Sequence, residues 1–417
     1  MSTAGAIVSK ANNFKLPAWV TRDRITFYSL IVLTIDLGYF FIRIAGTYIF
    51  KLPNFIALGW DFAVFWSASY LTVHSGATSA FNVALIEQLA APLQHDMRGL
   101  FPTPWVYPPT FLLVVRPFVL LPFNTSYITF VIGSLTFSIF MYTRMLKPAL
   151  VVWLPALAFP AVWIAVMAGQ NSFLTLGLAA GGLVFLEKRP WLAGIFIGLL
   201  AIKPQLGVIF PLTLILGRDW RALMSAFATA TIFCVLAGTI LGFETYGQFF
   251  ATLPGFSHFI VTHAGTWPGG MPTGFGLARH FGLSPLTAYV IQAILAAPAV
   301  ALVIYLTLTK ARLELRAAAI AVATLLAQPY LLHYDLVWLA LPIIFLITDG
   351  LHHGWQKGDI PILIVAWLAP IVFYVPTRLE LAQYTPIVTM AILVLIFRRC
   401  RNVPMEPVSG HELSSVI

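Results

Sequence analysis

The sequence predicts an all-α polytopic membrane protein, with about 12 transmembrane helices and a large first loop outside the cytoplasm, and three observations predict it. Of 417 residues, 59% are hydrophobic and only 9% are charged, against roughly 25% charged in a soluble domain. Apolar stretches of roughly 20 residues, the length that spans a bilayer core, recur along the chain between short charged or Pro/Gly-rich breaks. Lys and Arg gather in short clusters at segment ends, the pattern of positive-inside anchoring, so the net charge of +9 points to no nucleic-acid partner. The lipid bilayer is the partner that composition implies.

Residues 1–24 are polar and carry Lys10, Lys15, Arg22 and Arg24, forming a tail expected in the cytoplasm. The apolar run 25–50 is longer than the roughly 7 to 15 residues of a signal-peptide core, so it reads as a retained anchor. Residues 51–105 are broken by Pro, Gly and polar residues and are expected as the first extracytoplasmic loop. Further apolar segments follow at 106–122, 125–143, 149–168, 172–186, 191–216 and 221–242. A second extracytoplasmic loop is expected at 243–284, where Thr266-Trp267-Pro268-Gly269-Gly270-Met271-Pro272 resists helix and strand alike. Segments 285–309, 317–332, 336–348, 360–375 and 385–397 complete a membrane domain over 25–397. Arg398, Arg399 and Arg401 then anchor a cytoplasmic tail, 398–417, and two cytoplasmic termini require an even number of crossings. Cys234 and Cys400 fall in different environments and are expected to be unpaired.

The middle of the chain admits two topologies, because Arg144/Lys147, Lys188/Arg189 and Arg218/Arg221 all favour the cytoplasm. In one, 106–122 is a partial or re-entrant segment, and 191–216 breaks at Lys203-Pro204 into two arms that enter and return. In the other, every segment crosses once and Arg144 to Lys147 stay outside.

Several polar residues are candidates for chemistry. Asp61, in Gly-Trp-Asp-Phe-Ala-Val-Phe-Trp, is a carboxylate among aromatics, where desolvation raises proton affinity and suits a general base; a helix cap is the plainer role. Tyr107, before Pro108-Pro109, is either an interfacial anchor or a hydrogen-bond donor to a ligand. Arg116 is either snorkelling or facing a polar cavity. Gln170 and Asn171, in Gly169-Gln-Asn-Ser172, form a turn whose amides suit a hydroxylated or phosphorylated ligand. Lys203, before Pro204, puts an ammonium inside an apolar run, where it is poised for a phosphate unless it snorkels. His333 suits a departing phosphate, and Asp335 either orients that imidazole or binds sugar hydroxyls. The remaining histidines show no zinc spacing, and no glycine-rich phosphate loop is present, so neither a metal nor a nucleotide cofactor is expected.

Taken as an ordered set from about Gly59 to Asp349, these motifs together with Pro117-Phe-Val-Leu-Leu-Pro122 and Ala193-Gly194 resemble glycosyltransferase family 87, a family of GT-C membrane transferases. The resemblance implies a GT-C type bundle and a polyprenyl-phosphate sugar donor, commonly carrying mannose. It implies a lipid or glycan acceptor and a catalytic base at Asp61. Lys203 and His333 match positions near the donor phosphate, with Tyr107, Gln170, Asn171 and Asp335 completing the donor site. The sequence departs from the family at Phe62-Ala-Val-Phe65, where Val-Tyr is frequent, and at Tyr330, where His is frequent. A single essential carboxylate then implies single displacement with inversion, by analogy with glycosidases. The expected setting is the bacterial inner membrane. A transporter or flippase for a polyprenyl-linked or anionic solute is the alternative, since a broken intramembrane helix with polar groups serves either purpose.

Overall fold

A computed structural model describes residues 20–52, 55–95, 104–145, 150–263, 271–374 and 382–401, and every regular element among them is helical. Among the described residues, five helical stretches are long and apolar enough to cross a membrane: Arg22–Ile49, Phe123–Thr143, Trp220–Leu241, Pro285–Leu308 and His333–His353. Their surroundings differ. Only 22% of the Trp220–Leu241 stretch is buried, and it exposes Met224, Phe227, Ile232 and Val235; such a helix leaves its burial to lipid. The His333–His353 stretch is 72% buried and forms the centre of the bundle.

Prolines divide segments that hydropathy alone joins. The run 149–168 forms two helices, Leu150–Leu157 and Pro160–Ala168, because Pro160 lacks an N–H and opens a new helix at its first position. The run 191–216 forms Pro190–Leu199 and Ile209–Gly217, with short 3-10 turns Leu200–Ile202 and Pro204–Leu206 on either side of Lys203. The run 106–122 becomes one helical turn pair, Pro109–Val115 and Arg116–Leu120, too short to span. Arg116 is exposed there, and its carbonyl accepts from Ser69 at 2.8 Å.

The two expected loops contain more helix than their composition suggests. The described residues within 51–105 include the helix Trp60–His74, a 3-10 turn Ala77–Phe81, and the helix Val83–Gln94, which Asn82 caps. Phe62 and Phe65 are fully buried, so tertiary packing stabilises a helix too short for the membrane. Within 243–284, Glu244–His263 is one helix and Gly274–His280 another. Most of the Gly/Pro-rich run beginning at Thr266 lies outside the described residues; Met271 and Pro272 are non-helical.

Close helix approach depends on small residues. On Pro190–Leu199, Gly194 and Gly198 share one face of the helix against Trp220–Leu241. A Cβ at Gly194 would collide with the Ala222 carbonyl oxygen and lie 2.5 Å from Ser225 Cβ, and one at Gly198 would lie 2.5 Å from the Ala226 carbonyl oxygen.

The helices share two common ends. Glu187, Asp219, Arg316, Asp349, Asp359 and Arg399 belong to one, where Arg316 pairs with Glu187 at 2.7 Å and Arg312 with Asp349 at 2.8 Å. Arg399 there bridges Asp349 and Asp359 in a buried ion network. Lys188, Arg189, Arg218, Arg221 and Lys310 are exposed around this end. The opposite helix ends, Gly169–Ser172, Lys203, Gln328 and His333–Asp335, converge on the start of Trp60–His74, with Gln328 Nε2 donating to the Gln205 carbonyl at 2.6 Å.

Candidate functional site

Asp61 is placed by two glycines. Gly59 caps the Trp60–His74 helix in the left-handed region (φ 74°), and Gly169 ends Pro160–Ala168 in the same region (φ 69°), conformations that favour glycine. The Gly59 N–H donates to the Met167 carbonyl at 2.7 Å, and both glycines lie against Tyr127, whose hydroxyl donates to Val166 at 2.6 Å. The two turns are thereby sewn together, and Asp61 and Gln170 are brought side by side. Asp61 lies in the first helical turn without capping it; Gly59 is the cap and makes no side-chain bond.

Gln170 is buried, and its Oε1 accepts from the Tyr107 hydroxyl at 3.1 Å and from the Asn171 N–H at 2.9 Å. Tyr107 itself is fixed edge-on to Phe65 at 5.3 Å and beside Phe111 at 4.9 Å. Across the site, Lys203 Nζ lies 2.7 Å from Asp335 Oδ1, both side chains being less than a tenth exposed. Asp335 Oδ1 also accepts from Ser172 Oγ at 3.2 Å, and the ammonium lies 5.7 Å from the Tyr334 ring centroid. Lys203 therefore does not snorkel: the Pro204 break turns it inward, and Thr110 Oγ1 holds the same break through the Ala201 carbonyl at 2.7 Å.

Asp61 is half-buried, and its Oδ2 is shut off from solvent with no hydrogen-bond partner. Burial pushes its carboxyl up to about 7, against a lesser downward pull from the Gln170 amide and the Lys203 charge and a small upward push from Asp335. Burial also drives the Tyr107 phenol well up, reinforced by the charges of Asp61 and Asp335, so it stays a donor. Asp61, Gln170, Tyr107, Lys203 and Asp335 thus form one charged cluster drawn from five segments.

His333 is buried close by in sequence, but its Nε2 meets Gln383 Oε1 at 3.0 Å. The carboxylate of Asp335 is taken by Lys203, Ser172 and the Leu332 N–H, so the expectation that it orients His333 gives way to Gln383 in that role. Asn171 is fully buried, and both side-chain amide atoms lack a hydrogen-bond partner. Sequence reasoning passed over Ser172, Tyr334 and Gln383. The first two stand inside motifs already singled out, whereas Gln383 lies 50 residues from His333 with no local signal to mark it.

An all-helical membrane protein with a charged cluster buried at one end of its bundle is the class that fold and site define. The sequence pattern of glycosyltransferase family 87 matches residues 105–329, and the chain belongs to that family. It is also similar to an alpha-(1->3)-arabinofuranosyltransferase from two strains of Mycobacterium tuberculosis, at 32% identity over 165 residues. That similarity covers 36% of this chain and 37% of each relative, so the chain spans little more than a third of the curated relatives it matches. No solved structure matches.

Proposed function

We propose that this chain transfers a sugar from a polyprenyl-phosphate donor to a lipid or glycan acceptor, with inversion at the anomeric carbon and Asp61 as general base. The observation that carries the reading is a half-buried carboxyl that titrates near neutrality, within electrostatic range of a buried ammonium. Asp61 takes the acceptor hydroxyl's proton as that oxygen bonds to the anomeric carbon. The bond from that carbon to the phosphate oxygen breaks, and its electron pair leaves on the phosphate. Lys203 stabilises the departing charge once the phosphate displaces Asp335 from it. His333, Tyr107, Gln170, Asn171 and Asp335 complete the donor site in this reading; the two unpartnered amide atoms of Asn171 suit sugar hydroxyls.

The setting proposed is a GT-C type bundle of about 12 crossings in a bacterial inner membrane, with both termini cytoplasmic and the site on the opposite face. The basic residues that crowd the far end of the bundle support that orientation. Mannose is the proposed sugar on the family resemblance, and arabinofuranose, which the relatives' name carries, is the comparison donor.

The test is turnover by purified, folded Asp61→Asn with mannosyl and arabinofuranosyl polyprenyl phosphates, read as release of polyprenyl phosphate. Loss of at least about a hundredfold is expected for removal of a general base. Turnover at the native rate would remove Asp61 from that role, and movement of donor without its consumption would make the chain a transporter.

A further inference from the structure

Gln170 has four hydrogen-bonding positions, and the surroundings fix which way its amide faces. Its Oε1 receives two donors, the Tyr107 hydroxyl at 3.1 Å and the Asn171 N–H at 2.9 Å. A flipped amide would point its NH2 at an N–H that cannot accept, so this orientation is fixed by chemistry. Both Nε2 hydrogens are then free for other partners, and the side chain lies within hydrogen-bonding reach of the Asp61 carboxyl and the Tyr334 hydroxyl. The Asn171 N–H and Tyr107 arrive from different segments, one from the turn after Gly169 and one from the Trp105–Pro109 stretch that Phe65 and Phe111 clamp.

We propose that Gln170 is the positioning residue for Asp61: Tyr107 and the Asn171 backbone lock its amide so that an N–H, never a carbonyl, is presented to the carboxylate. The inference rests on the reading of Asp61 as general base and adds how the carboxylate is oriented and kept ionised. An N–H donor stabilises the ionised form, opposing the burial that favours the protonated one. The other groups facing Asp61 are Lys203 and the Trp60 side chain, which also favour ionisation, Asp335, which opposes it, and the phenols of Tyr107 and Tyr334. Ionisation therefore draws on the Gln170 amide first, then on a partly neutralised ammonium and the Trp60 side chain.

Three variants of the full chain test this. Gln170→Leu removes the donor. Gln170→Glu keeps the acceptor for Tyr107 and Asn171 but sets an oxygen where the N–H stood. Tyr107→Phe removes one of the two contacts that fix the amide. Two readouts are taken: the acidic limb of turnover against pH, and the pH dependence of carbodiimide labelling at Asp61, mapped by mass spectrometry, which needs no activity. Expected is an upward shift of the labelling midpoint by about one pH unit in Gln170→Leu, more in Gln170→Glu, and less in Tyr107→Phe. The acidic limb should move with the labelling. If native-like labelling midpoints persist in folded Gln170→Leu and Gln170→Glu, the positioning role is overturned. If Asp61→Asn retains native turnover, the base reading fails instead, and the labelling shifts still report on Gln170.

Discussion

Lys203 and Asp335 are 132 positions apart and form a buried ion pair that adds little net stability. Taking two charges out of water costs most of what their attraction returns, but removing one partner strands the other. Asp335→Asn should therefore destabilise the chain by about 3 kcal/mol. The double variant Lys203→Met/Asp335→Leu should recover much of that loss without activity, as read by thermal melts of detergent-purified protein. A double variant no more stable than Asp335→Asn would contradict this account. Asp61 carries the opposite signature. Its folded value of about 7 lies above the ordinary carboxylate range, so ionisation costs stability as pH rises from about 4 to about 7. Asp61→Asn should melt higher than the native chain at pH 8, with the gap closing near pH 4. An equal gap at both pH values would show that the carboxyl is not held up by burial. These charges were legible in sequence as isolated polar residues in apolar runs. Which of them pair was not, since pairing depends on how distant segments pack.

At the scale of elements, prolines and small residues decide more than hydropathy. Pro160 and Pro204 turn apparent single spans into broken ones, and the second break is what faces Lys203 inward. The run from 51 to 105 looked like loop because its helices are short, yet Phe62, Phe65 and Trp105 pack it into the core. Periodicity over so few residues carries little information, and burial by partners distant in sequence supplies the stability. Gly194 and Gly198 set the approach of Pro190–Leu199 to Trp220–Leu241 and hold one arm of the Lys203 break. Gly194→Val and Gly198→Val should each cost about 2 kcal/mol through overpacking against backbone. Each should also depress turnover by displacing Lys203, measured as melting temperature and rate in the same preparation. Gly133→Val, on a helical face with open space, should change neither.

For the whole molecule, the two ends of the bundle are chemically distinct. One carries exposed Lys188, Arg189, Arg218, Arg221 and Lys310 around the Arg399–Asp349–Asp359 network, and the other gathers the Asp61 and Lys203 cluster. If the basic end is cytoplasmic, single cysteines placed at exposed Arg218 or Lys310 in a background lacking Cys234 and Cys400 should react with an impermeant thiol reagent only from the cytoplasm. A cysteine at exposed Ser284 should react only from outside. Labelling of both from one side would reverse or break the proposed orientation.

The sequence by itself determined the helical membrane class, most helix positions and the ordered motifs that mark the family, because hydrophobic length, charge clusters and Gly/Pro punctuation are local properties. Only the tertiary structure decided that Gln383 rather than Asp335 meets His333, that Asp335 neutralises Lys203, and that two left-handed glycines set Gln170 beside Asp61. Those are long-range pairings, and nothing in a residue's immediate neighbours encodes which distant segment will pack against it.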